Sequence, residues 1–173
     1  VRPADGLECA AAWAHAIART SGPTVMALTR QNLPSLDRPQ GWDPREMLNG
    51  GYVIADAKDP TLVIVATGSE VHVAVGAKPL LDERGERVRV VSMPCLEAFQ
   101  RQPAAFRDAV LPPGVPRVAI ELGVSMPWRA LVGETGLVIG YDRFGHSAPA
   151  KVIATEIGFV PEAVAATIRA WRR

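Results

Sequence analysis

Thr61 to Val71 reads TLVIVATGSEV: an apolar run, a glycine turn and the opening of a periodic segment. Thr61–Ala66 is rich in β-branched residues and unbroken by charge, the pattern of a strand buried on both faces. Past the turn, Val71, Val75, Leu80 and Leu81 recur at helical spacing as far as Gly85, with Pro79 a candidate kink. Arg87–Ser92, RVRVVS, alternates and then turns apolar, as a strand entering a core does. Together these make a strand–helix–strand crossover, which sterics make right-handed within one sheet.

Working outward, Gly51–Ala57, GYVIADA, reads as a strand that Asp59-Pro60 turns into the crossover. On the other side, Phe99–Val110 reads as a short helix, Leu111–Pro116 as a proline-rich loop and Arg117–Glu121 as the next strand. Trp128–Val132 fits a helical turn and Gly136–Ile139 a further short strand. Pro161–Trp171 fits a terminal helix with Val164, Ile168 and Trp171 on one face. The expected fold is α/β, three layers with a mostly parallel sheet flanked by helices.

The amino-terminal part follows a different pattern. Asp5 is placed to cap a helix, Glu8 stands three residues on as in a capping box, and Leu7, Ala11, Ala14 and Ala18 recur along one helical face. Gly22-Pro23 stops that helix, and Thr24–Thr29, TVMALT, reads as a buried strand. One helix and one strand cannot bury a core, so they belong to a further domain or dock on the rest. Ser35–Arg45, SLDRPQGWDPR, has the composition of a linker. The division is therefore residues 1–36, a helix–strand remnant; 37–49, a linker; and 50–173, the α/β domain. Truncation of the first unit would leave Trp13, Ile17, Val25 and Leu28 as apolar surface that favours self-association.

Composition narrows the function classes. With 19 basic and 18 acidic residues the formal net charge is +1, which provides no field for nucleic acid or anionic lipid. No run of about 18 apolar residues marks a membrane span, and no signal pattern opens the chain, so a cytoplasmic protein is expected. Cys9 and Cys95 lack metal or redox spacing and are expected as free thiols. His15, His72 and His146 form no ligand pair, so no metal site is expected.

Two places carry candidate chemistry. Gly68-Ser69-Glu70, between strand and helix, sits where α/β domains offer backbone amides to anions, although a lone GSE without a fuller glycine-rich fingerprint is first explained by Ser69 as a simple cap and Gly68 as a turn former, which need no ligand. Arg30 ends an apolar run ahead of Gln31, Asn32 and Pro34, placing a permanently charged fork at the carboxyl end of a strand. Ser147 in GHSAP lacks the glycine pattern of a nucleophile elbow and reads as a cap for a helix starting near Ala150.

Separated motifs in order then resemble one family. RPAD at Arg2–Asp5, GPT at Gly22–Thr24, LTRQNLP at Leu28–Pro34, ATGSEV at Ala66–Val71 and RVVSMP at Arg89–Pro94 are similar to transketolases. VLPPGV at Val110–Val115, DRFGHSAPA at Asp142–Ala150 and IGF at Ile157–Phe159 continue the resemblance. The resemblance implies that residues 1–36 end a pyrimidine-binding domain and that residues from about 50 form the carboxy-terminal domain. It implies transfer of a two-carbon ketol unit between sugar phosphates in the pentose phosphate or Calvin pathway. The implied cofactor is thiamine diphosphate held by a divalent metal, Mg or Ca, on parts of the enzyme outside this chain, so none is expected bound to it. The implied partners are the remaining transketolase domains and a second subunit of a homodimer. Arg30 carries over as the substrate-phosphate contact, and no catalytic residue carries over. A dihydroxyacetone synthase shares the RQNL-type motif and stays open as the substrate alternative. A non-catalytic dimerisation or anion-binding module at Gly68–Glu70 is the alternative of another class.

Overall fold

The computed structural model describes all 173 residues. Five strands form one sheet in the order β1-β3-β2-β4-β5, with β1 Tyr52–Ala55, β2 Leu62–Ala66, β3 Val88–Ser92, β4 Arg117–Ile120 and β5 Leu137–Ile139. The last four named run parallel, whereas β1 pairs antiparallel to β3 at the edge, with Tyr52 opposite Ser92.

β2 lies at the centre, and all five of its residues are buried. Because strand side chains alternate, Leu62, Ile64 and Ala66 enter one core layer while Val63 and Val65 enter the other. The first layer is closed by α2, Glu70–Asp82, and α7, Pro161–Trp171. α2 contributes Val71, Ala74, Ala77 and Leu81, and α7 contributes Val164, Ala165 and Ile168, all fully buried. Gly76 lets the two helices approach: a Cβ there would lie 2.8 Å from Pro161 Cγ. The opposite layer holds Phe99, Val110, Leu111, Trp128 and Leu131, from α3 Leu96–Gln100, α4 Ala104–Val110, α5 Arg129–Val132 and the turns between them. Each fully buried aliphatic side chain in these layers contributes about 1.5–3 kcal/mol through the apolar area it removes from water. The three-layer α/β architecture with a mostly parallel sheet is as expected.

Local differences have physical causes. The helix expected over Phe99–Val110 is two, because Pro103 cannot donate a backbone hydrogen bond and instead opens α4. α2 runs unbroken through Pro79, which faces solvent. Ser69 does not cap α2; its hydroxyl donates to Glu70 Oε1 at 2.6 Å. Ser147 does not cap α6, Ala150–Glu156, whose first turn follows Pro149. Pro44–Asn49, at the end of the expected 37–49 linker, is a 3-10 helix with an Asp43–Glu46 capping box and a buried Met47.

The amino-terminal helix α1, Gly6–Ala18, is capped by Asp5, which accepts from the Glu8 amide. Its expected apolar face is not the docked one: Leu7, Ala14 and Ala18 are exposed, whereas Glu8 and Ala12 are buried. Thr24–Thr29 is not a strand. It runs alongside Val1 alone, whose nitrogen donates to the Val25 carbonyl and whose carbonyl accepts from the Ala27 amide. A strand needs a ladder of neighbours, and one residue supplies only two bonds. Trp13, Ile17, Val25 and Leu28 are all more than half exposed. No helix is long and apolar enough to cross a membrane.

Replacing Ile168 by Ala should lower the unfolding free energy by about 2–5 kcal/mol, the usual cost of a cavity at a fully buried site. Urea denaturation followed by circular dichroism reads this, and Ile17→Ala, on the exposed end of α1, should change it by less than about 0.5 kcal/mol.

Candidate functional site

From β2 the chain crosses through α2 to β3 on one side, then through α3 and α4 to β4 on the other. Doubly wound sheets bind ligands in the crevice such a reversal opens at the strands' carboxyl ends. Here the crevice is filled by Arg2. Its Nη2 lies 2.5 Å from Glu70 Oε2, just past β2, and its Nη1 donates to Glu121 Oε1 at 2.9 Å, just past β4. Trp128 Nε1 donates to the other Glu121 oxygen, and the Leu122 amide donates to Glu70 Oε2 at 3.3 Å. The backbone of Arg2 is held too: its N–H donates to the Pro94 carbonyl and its carbonyl accepts from the Gly68 amide.

Gly68 has φ of +58°, and a Cβ there would stand 2.7 Å from Arg2 Nε. Only glycine fits both the turn and the approaching guanidinium. The Gly68-Ser69-Glu70 turn therefore grips a cation from the same chain. The carboxylate of Glu70 stands at the amino terminus of α2, where it meets the helix dipole and accepts from the Leu122 amide.

A second ionic network lies beside it. The carboxylate of Glu8, fully buried, accepts from Tyr52 Oη at 2.7 Å, Ser92 Oγ at 2.6 Å and the Ala4 amide at 2.7 Å. Asp5 accepts from the Leu36 amide at 2.9 Å, and Arg38 joins it at 2.9 Å while its Nε donates to Tyr52 Oη. The Arg38 guanidinium also covers the Trp42 ring at 4.9 Å. Burial works against the Asp5 charge, but the hydrogen bonds from Arg38, Leu36 and Glu8 outweigh it and hold its carboxyl below the ordinary value. Burial, then the facing Glu8 charge, pushes the Tyr52 hydroxyl well above its usual range, so it remains a donor. These groups dock α1 and the 36–38 segment onto β1 and β3.

Arg30 lies on the outside of this anchored frame. It is exposed, and no hydrogen bond or ion pair engages its guanidinium. With Gln31 it borders a cavity of about 470 Å³ whose other walls are Ser69, Glu70, Leu122 and the Ala148–Ala154 stretch. Segments far apart in the chain, namely LTRQNLP, ATGSEV and the GHSAPA loop with α6, thus meet at one opening. His15, His72 and His146 stay apart, and no group of three or more His, Cys, Asp or Glu side chains is arranged to hold a metal ion. The acids nearest one another are taken by Arg2 and Arg38, so the residues present do not fit a divalent metal or the diphosphate it would bridge. Both cysteines are free thiols.

A family model described as Transketolase-like TK C-terminal domain matches residues 50–160. The chain belongs to the transketolase family. It is 47% identical over 168 residues to a plasmid transketolase of Cupriavidus necator, covering 97% of this chain and 25% of that protein. To the transketolase of Mycobacterium tuberculosis it is 49% identical over 175 residues, covering 96% of this chain and again 25% of the relative. The solved structure of the transketolase from Leishmania mexicana superposes with a TM-score of 0.89 at 42% identity, covering 99% of this chain and 24% of that one. The chain thus spans about a quarter of the length of the transketolases it matches.

Residue reading identified Arg30 and the 68–70 turn, and the cavity brings Arg30 to Ser69 and Glu70. It missed Arg2, Arg38, Tyr52 and Glu121, and it read Glu8 only as the capping-box partner of Asp5, whereas the Glu8 carboxylate accepts from the Ala4 amide, Tyr52 and Ser92. The one signal for Glu8 is its position: a carboxylate between Leu7 and an alanine-rich run, on the helix face that is otherwise small.

Because the Asp5 pKa is lowered by folding, Asp5 stabilises the fold above its ordinary titration range near 3.8 and loses that contribution as pH falls through its lower folded value. Urea denaturation should show stability falling below about pH 4, and Asp5→Asn should flatten that acid limb. Arg38→Met, which leaves buried carboxylates unpaired, should cost about 3–5 kcal/mol at pH 7.

Proposed function

We propose that this chain is the carboxy-terminal part of a transketolase and supplies Arg30 as a phosphate contact to an active site completed by other domains. The observation that carries the proposal is Arg30 itself. An arginine that ends a motif, stands exposed without a partner and borders a cavity has its donor fork free for a dianion. Arginines held for structure look different here: Arg2 and Arg38 are each paired with two carboxylates.

On this reading residues 1–36 end a pyrimidine-binding domain, 37–49 link, and 50–173 form the carboxy-terminal domain. Remaining domains and a second subunit of a homodimer provide the thiamine diphosphate and divalent metal, and the enzyme works in the cytoplasm. When bound, thiamine diphosphate supplies the carbanion chemistry that moves the two-carbon unit. The residues of this chain bind and orient: Arg30 would hold the phosphate of a ketose or aldose phosphate so that its carbonyl end faces the cofactor. Two parallel N–H···O bonds fix direction as well as distance.

Joined to the remaining transketolase domains, Arg30→Gln should raise KM for a sugar phosphate by about tenfold or more, the scale of a lost charged hydrogen bond. An unphosphorylated aldehyde acceptor should be handled much as before. Equal KM values for phosphorylated and unphosphorylated acceptors in parent and variant would remove Arg30 from the site. By itself the chain should transfer no ketol unit, and turnover of a ketose phosphate with ribose 5-phosphate by the purified 173-residue chain would overturn the reading.

A further inference from the structure

At the amino end of the sheet a cavity of about 230 Å³ opens among α3, α4 and α5. Arg117, the first residue of β4, stands half-buried in its wall. Its Nη1 donates to the Leu131 carbonyl at 3.1 Å and its Nη2 to the Leu111 and Pro112 carbonyls at 2.9 and 3.5 Å, while Nε–H has no acceptor and no carboxylate pairs with it. Burial pushes the guanidinium pKa below its ordinary value, against the attraction of the Asp108 carboxylate, so the cation is held at a cost that the protein leaves partly uncompensated. Arg107, in the last turn of α4, borders the same space and has one protein acceptor, the Gln100 carbonyl at 3.3 Å. Arg2, Arg38 and Arg89, which are also half-buried, each meet a carboxylate instead.

We propose that this cavity binds a small monocarboxylate, whose oxygens bridge the free donors of Arg117 and Arg107 while its apolar body rests on Phe99, Leu111 and Leu131. Two guanidiniums and the Asp108 carboxylate leave the walls one net positive charge. A monocarboxylate cancels that charge, whereas a phosphate dianion would reverse it and face Asp108 as a like charge. A guanidinium edge also matches a planar carboxylate, which accepts two parallel N–H···O bonds. The cavity is smaller than the roughly 300–1,000 Å³ that drug-sized ligands fill, so a short-chain acid fits and a nucleotide does not. It shares no residue with the cavity at Arg30, and it lies at the opposite end of β4 from Glu121. The two sites are therefore independent in position and in the charge they select.

The test titrates the whole 173-residue chain with sodium butyrate at constant ionic strength and follows the Arg117 Nε–H and the Leu131 amide by NMR. Butyramide, of the same shape without the charge, and inorganic phosphate are the comparison probes. Butyrate should shift both signals saturably with a Kd in about the millimolar range, the scale for so small a ligand, and butyramide should move neither. Replacing Arg117 would also release the carbonyls it holds, so the deciding variants lie on α4, where both side chains are exposed. Arg107→Gln should weaken butyrate by about threefold or more through a lost charged hydrogen bond. Asp108→Asn should tighten it by about threefold, because a like charge is removed. Backbone amides of β2 report in each case that the fold is intact. If Arg117 serves only to hold carbonyls, its Nε–H shows no saturable shift, and the proposal falls. Equal binding of butyramide, tighter binding of phosphate than of butyrate, or a Kd that neither variant moves would overturn it as well.

Discussion

The Arg2 guanidinium between Glu70 and Glu121 is the constraint on which the arrangement at the sheet's carboxyl end depends. β2 and β4 are adjacent and parallel, so their following residues diverge and leave a gap between strand ends. Two carboxylates facing that gap would repel one another across a poorly solvated space, and the cation between them turns repulsion into a bridge. The shared cation settles several local features together. Gly68 has to be glycine, the first turn of α2 carries Glu70 inward, and Trp128 has a carboxylate to donate to from the opposite layer. At a place that many α/β proteins keep for a ligand, a cation of the same chain stands between the strand ends.

The docking of α1 has the same logic in a different setting. An alanine-rich helix has little apolar area to bury, and its inward face offers Ala12 and Glu8. Hydrophobic transfer alone would hold it weakly. Polar satisfaction supplies specificity instead: the Glu8 carboxylate meets donors from Tyr52 on β1 and Ser92 on β3, residues that stand opposite each other in the sheet. Arg38 closes the network from the far end of the segment. Breaking one member strands the others, so the contact is cooperative even though a well-packed apolar replacement could be as stable.

These two clusters also mark where sequence reading stops. The sheet was legible because burial on both faces writes itself into β2 as five consecutive apolar residues, and the crossover follows from the glycine turn and the helical spacing after it. α2, β3, β4, β5 and α7 were read for the same reason. The Thr24–Thr29 segment failed because its apolar, β-branched character matches a strand, while strand formation depends on neighbours that residue type does not reveal. The face of α1 was misread because periodicity finds large apolar stripes, and the docked face pairs a small apolar side chain, Ala12, with a carboxylate, Glu8. Arg2 and Arg38 were invisible for a related reason: pairing across 68 or 119 residues, as Arg2 does with Glu70 and Glu121, or across 33, as Arg38 does with Asp5, leaves no local spacing. Arg30 was legible by motif and position, but its exposed, unpaired state is a fact of the fold.

The contrast among the three arginines then bears on chemistry. A guanidinium already bridging two carboxylates has its donors directed and its charge neutralised, so it has little left for a passing dianion. Arg2 and Arg38 are in that condition, and Arg30 is not. A free arginine on a long exposed segment would ordinarily be a poor binding group, since ordering the side chain and its backbone costs entropy at the moment of binding. The backbone bonds at Val25 and Ala27, and those of Leu36 and Arg38 to Asp5, hold the chain on either side of Arg30 and reduce the backbone share of that cost before any ligand arrives. Paired arginines and an unpaired one are thus parts of one arrangement, in which the first kind restricts where the second can be.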